Sequence, residues 1–147
     1  MTRVLVFLLL LPVLALTPAP LLRSAEKLAG PVPPRLLRVI DGDTIAVSAR
    51  IWLGQAVETL VRVDGVDTPE LKGKCAAERQ LARRARNFVT EFLGRGGVVL
   101  RDIQYGKFAG RVVSRVLSAD GRDLTDALIA EGLGRNYVRG KRLQWCE

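Results

Sequence analysis

The chain has 147 residues, 48% of them apolar, enough to bury one core and too few for a second domain of ordinary size. Its formal charge of +8 favours polyanionic partners, without separating nucleic acid from an anionic membrane surface or from simple solubility. It contains no histidine, which excludes Ser-His-Asp and Cys-His machinery and leaves acid–base chemistry to carboxylates, lysine, tyrosine or metal-bound water.

In chain order, Arg3 followed by the apolar run Val4 to Leu16 has the pattern of a targeting leader. The run is shorter than the roughly 20 residues of a membrane span, but apolar and neutral residues continue through Leu22. Residues 1–25 are therefore expected to be a signal peptide or an N-terminal anchor, with cleavage after Ala15 meeting the small-residue rule. Loss of this segment would remove Arg3 and Arg23 and still leave a basic domain. Pro31, Pro33 and Pro34 mark residues 26–34 as a Pro-rich linker, and the domain is expected over 35–147.

Strands are predicted at Leu36 to Ile40, Thr44 to Val47, Ile51 to Leu53 and Thr59 to Val66, rich in β-branched residues and split by Asp-Gly and Gly-Gln turns. From Ala76 to Leu93 the period becomes helical, with Leu81, Ala85, Phe88, Val89 and Phe92 on one stripe and a set of arginines mostly turned away from it. Strands resume at Val98 to Ile103 and Gly110 to Leu117. A second helix follows the Asp120-Gly121 turn, with Asp123 as N-cap, and stops around Gly132 to Gly134. This order predicts an α+β domain: a five-stranded, Greek-key-like barrel with two or three helices.

In an oxidising compartment the two cysteines, Cys75 and Cys146, are expected to form a disulfide, two buried apolar thiols being the alternative. Two sulfur ligands without histidine disfavour zinc.

Two acidic clusters could carry chemistry. Asp41-Gly42-Asp43-Thr44 also reads as ordinary hairpin-turn chemistry, and Asp67-Thr68-Pro69-Glu70 as a capped turn entering a helix. Both sit at strand ends of one meander, where adjacent strands can bring their acids to one cation. Such a site offers only oxygen and selects calcium, magnesium or manganese. Arg62 and Arg111 read as solvent-facing strand arginines or as forked donors for phosphoryl oxygens, with Glu70 as a base for water.

The segments Val39 to Thr44, Arg62 to Glu70, and Asp120 to Leu124 with Ala127-Leu128 and Glu131 to Leu133 resemble the staphylococcal nuclease (thermonuclease) family, over about Leu36 to Tyr137. The resemblance implies an OB-fold barrel with helices, one calcium ion and endonucleolytic hydrolysis of DNA and RNA; separately, the chain is expected to be a monomer. Carried over residue by residue, it makes Asp43 and Asp67 metal ligands through carboxylates and Thr68 through its carbonyl, with Asp41 close by. Glu70 becomes the general base, and Arg62 and Arg111 stabilise the transition state. The chain departs from the family before Arg111: Tyr105-Gly106-Lys107-Phe108-Ala109-Gly110-Arg111 offers two Gly-basic units, and Arg111 is preferred over Lys107 because Gly110-Arg111 leads directly into a strand. Tyr105, Lys107 and Tyr137 are nucleic-acid-binding candidates, the tyrosines by base stacking. The rival readings are a catalytically silent OB-type nucleic-acid-binding module and a membrane-tethered structural domain. The chain is expected to be exported, periplasmic or secreted, with a possible tether through the leader; no protein partner is implied.

Overall fold

The computed structural model describes residues 26–94, 96–137, 140, 142 and 144–146. The expected leader, its cleavage site and its tether lie outside the described residues. The strands and helices are β1 (Lys27–Leu28), β2 (Arg35–Val39), β3 (Thr44–Trp52), β4 (Gln55–Val63), β5 (Val66–Asp67), α1 (Ala76–Gly94), β6 (Val98–Tyr105), β7 (Arg111–Ser118), α2 (Leu124–Ala130) and β8 (Arg135–Asn136). No helix among the described residues is long and apolar enough to cross a membrane.

The expected break between Val47 and Ile51 is absent: β3 runs unbroken to Trp52 and pairs with β4 from Thr44↔Arg62 to Trp52↔Gln55. Ser48 to Arg50 interrupt the apolar pattern but hold no glycine, proline, asparagine or aspartate to turn the chain. The reversal falls at Leu53-Gly54, at the expected Gly-Gln turn, where Gly54 takes φ +73°, a left-handed value that glycine adopts without a Cβ clash.

The main sheet has the order β1-β6-β7-β4-β3-β2, all pairs antiparallel except β4–β7. Its two edge strands belong to one stretch of chain: Lys27 and Leu28 pair with β6, Val32 bridges Leu100, and β2 pairs with β3. Taking β1 and β2 as halves of one broken strand, five strands wrap round as an OB-like barrel, in agreement with the expected fold class. Residues 26–34, read as linker, therefore take part in the sheet. Their prolines are tolerated because this is an edge, where a missing N–H breaks no central ladder. Val32 still exchanges both backbone hydrogen bonds with Leu100, at 2.9 and 2.8 Å.

Ile45, Val47, Val61, Val63, Val98, Leu100 and Val116 fill the inside of the barrel, and α1 closes one side with Ala85, Val89 and Leu93. Helix α2 is capped as its sequence predicts, with the Asp123 carboxylate accepting the Thr125 N–H at 2.9 Å. It seals the core with Leu124 and Leu128. The Thr125 hydroxyl donates to the Asp64 carbonyl at 2.7 Å and ties α2 to the turn between β4 and β5.

Candidate functional site

The two acidic clusters are packed against each other. Asp41-Gly42-Asp43 leads into β3, and the Asp41 carboxylate accepts the Asp43 N–H at 3.0 Å, fixing the bend. A Cβ on Gly42 would stand 2.8 Å from Thr68 Oγ1 and 2.9 Å from the Ala85 Cβ, so only glycine lets the first cluster lie on the second and on α1. Asp67 closes the short strand β5, opposite Arg135 of β8, and Pro69 behind it is buried.

Between the clusters lies Arg62, half-buried on β4. Its guanidinium is 2.6 Å from Asp43 Oδ1 and 4.0 Å from Asp67 Oδ1, donates to the Val66 carbonyl at 3.2 Å, and lies 5.5 Å from the Tyr137 ring centroid. Arg111 starts β7, the parallel neighbour of β4, and pairs with Leu60 two residues before Arg62. The even spacing puts Arg62 and Arg111 on the same side of the sheet. Arg111 Nε is buried without a hydrogen-bond partner, and its guanidinium rests 4.8 Å from the Phe108 ring centroid.

Asp41, Asp43, Arg62, Thr68, Glu70 and Arg111 line one cleft of about 380 Å³. Asp67 is buried next to Thr68 and does not itself line the cleft, its Oδ1 in ion-pair range of Arg62 and Arg142 but with no aligned hydrogen bond. Burial, and then the Asp43 charge, push the Asp41 carboxyl above its ordinary value of 3.8. Burial does the same to Asp67, against the opposing pull of Arg142. The set is hard oxygen donors, which suits a hard cation. The three aspartates do not yet converge. Among the described residues, the one group of three Cys, Asp or Glu ligand atoms within 4.8 Å of one another is Cys75, Glu78 and Cys146, whose sulfurs are already joined as a disulfide.

Lys107 does not line the cleft, and Tyr105 is 80% exposed beside a separate apolar groove. Of the three nucleic-acid-binding candidates, only Tyr137 touches the site, through Arg62. Two further residues were not singled out in the sequence. Arg142 lies 3.1 Å from Asp67 Oδ1 and is ion-paired to Glu70, carried there by the tail that the Cys75–Cys146 disulfide holds down. Glu78, buried at the start of α1, accepts the Lys74 N–H at 2.9 Å and the Glu70 N–H at 3.4 Å. Its spacing three residues after Cys75, in the first turn of a predicted helix, was the available signal. Arg142 carried only its nearness to Cys146.

The model of the staphylococcal nuclease homologue family matches residues 60–144, more than half of the chain. The chain belongs to that family. The match contains Arg62, Asp67, Thr68, Glu70, Arg111 and Arg142, while Asp41 and Asp43 precede it and are delivered by the pairing of β3 with β4. No curated protein matches the chain significantly. Membership in the staphylococcal nuclease family suggests a nuclease-like or nucleic-acid-binding function, and the cleft holds the acids and forked cations such a function needs.

Proposed function

We propose that this chain is a calcium-dependent endonuclease that hydrolyses phosphodiester bonds of DNA and RNA as a monomer. One observation carries the reading: Asp41, Asp43, Arg62, Glu70 and Arg111, spread over two strands and two loops, line a single cleft.

Asp43, Asp67 and the Thr68 carbonyl would hold the cation, with Asp41 beside them. When bound, calcium supplies charge neutralisation and Lewis acidity toward a phosphoryl oxygen. Arg62 and Arg111 act as forked donors on the remaining phosphoryl oxygens, where charge builds in the transition state. Arg111 is suited to this because its buried Nε has no competing protein acceptor. Glu70, half-exposed on its loop, takes the proton from the attacking water, and Glu78 fixes the backbone of that loop. The Arg142 ion pair must leave Glu70 before it can act as base, and a phosphate entering the cleft offers Arg142 an alternative partner. Export to the periplasm or medium behind the leader is part of the same reading, supported by the disulfide, which persists in oxidising compartments.

The test is cleavage of single-stranded DNA in calcium and in chelator, with wild type and Glu70→Gln. Wild type is expected to cut in calcium only, and Glu70→Gln to lose at least about 100-fold in rate while still binding substrate. Equal cleavage by both proteins would remove Glu70 from the chemistry. Binding without cleavage by wild type would favour the silent OB-type module.

A further inference from the structure

Three consecutive apolar residues stand clear of the protein at the tip of the β3–β4 hairpin: Ile51 is 61% exposed, Trp52 70% and Leu53 84%. Beside them Leu28, Val57 and Tyr105 are also exposed, and Leu28, Ile51, Val57 and Tyr105 border an apolar groove of about 580 Å³ floored by Leu100, Ile103 and Val112. The function proposed above uses none of these residues.

We infer that this hairpin tip and groove form a membrane-docking face that seats the domain on an anionic lipid bilayer. Neighbouring residues of a strand point to opposite sides, so exposure of Ile51, Trp52 and Leu53 together leaves apolar surface on every side of the tip. A protein groove covers one side of a hairpin; an apolar phase receives all sides. Tryptophan favours the headgroup boundary of such a phase. Base stacking needs flat rings, and the tip is two-thirds aliphatic. Arg50 at the base of the tip and Lys107 beyond Tyr105 are exposed and supply the charge that anionic headgroups attract, against a single acid, Glu26, on the groove.

The chain outside the described residues points the same way. Glu26, the first described residue, borders the groove, and the apolar run Val4 to Leu16 ends only ten residues before it. Ten residues span about 36 Å at most, so a leader inserted in a bilayer keeps the groove side of the domain near that bilayer. Trp52 is eight strand steps beyond Thr44, about 26 Å of rise, so a buried tip leaves the cleft open to solution. The inference is independent of whether the cleft hydrolyses or only binds its substrate.

The full chain is mixed with phosphatidylglycerol-rich vesicles whose acyl chains are brominated near the headgroup, and tryptophan emission is followed for wild type beside Trp52→Phe. The signal that depends on Trp52 is expected to move to the blue and to lose about half its intensity, and Ile51→Ser with Leu53→Ser is expected to abolish both changes. Phosphatidylcholine vesicles are expected to give a clearly weaker response. Protein that floats with the vesicles while Trp52 stays red and unquenched would overturn the inference, leaving the leader as sole contact. So would an emission already blue without lipid, which on dilution separates a second copy from the chain's own leader in the groove. Quenching by single-stranded DNA in place of lipid, or an equal response to both lipids, would overturn it as well.

Discussion

Gly42 carries the contact on which the cleft depends. With a Cβ meeting Thr68 and Ala85 inside 3 Å, Gly42→Ala must push the first acidic cluster away from the second. Overpacking of this kind costs about 1–3 kcal/mol, and calcium affinity measured by titration calorimetry should fall together with stability. Unchanged calcium binding in a folded Gly42→Ala protein would contradict a cation shared by the two clusters. Asp41 gives a pH-dependent test. Burial, followed by the Asp43 charge, raises its folded pKa above 3.8. Its ionised form therefore costs stability at neutral pH, and the cost disappears as pH falls through the raised value toward 3.8. In chelator, Asp41→Asn should melt above wild type at pH 7, with the gap closing as the buffer approaches pH 4; calcium should reverse the order at pH 7 by favouring the charged side chain. That Asp41 and Asp43 would meet Glu70, Arg62 and Arg111 in one cleft was legible because both acidic clusters sit at strand ends of one meander, although each cluster alone also reads as an ordinary turn. Lys107 and Tyr105, which nominate themselves by local spacing and residue type, lie away from the cleft because the β6–β7 loop turns only Arg111 inward.

Helix α1 contributes more than packing. Glu78 stands in its first turn and accepts two backbone N–H groups of the loop that ends at Lys74 and begins at Glu70, so one carboxylate ties the helix start to the loop that carries Glu70. Glu78→Ala leaves those donors without their partner, a loss of about 1–3 kcal/mol by denaturant titration. A lower cleavage rate at saturating substrate should accompany it, since Glu70 would be less well held; a purely structural Glu78 would lower stability and leave that rate alone. The helices were readable from period and caps, down to Asp123. The strands were less so: β3 was cut where Ser48 to Arg50 suspend the alternation, and β1 was hidden by prolines that suggest linker. Both misreadings fall where edge pairing, a property of the whole sheet, overrides local pattern.

The C-terminal tail depends on a link across 71 residues, between Cys75 and Cys146. Arg135 fastens it further, donating to the Gln144 carbonyl at 2.9 Å and stacking 3.9 Å from the Trp145 ring centroid. Reduction should lower stability by up to about 4 kcal/mol on the chain-entropy model and should loosen Arg142 from Asp67 and Glu70. Calorimetric melting with and without reductant measures the first effect, and an unchanged midpoint would mean that the tail adds nothing to the fold. Arg142 could not be read from the sequence because its position is set by that distant link. The doubly paired stretch from β1 to β2 has its own consequence for how the molecule is made. Leu28 is synthesised early, yet its partner Ile103 comes 75 residues later, so the opening strand of the barrel waits without a neighbour until most of the polypeptide exists. A nascent chain has no closed barrel to fall into, and one threaded head-first through a narrow channel stays unfolded until its last third has followed.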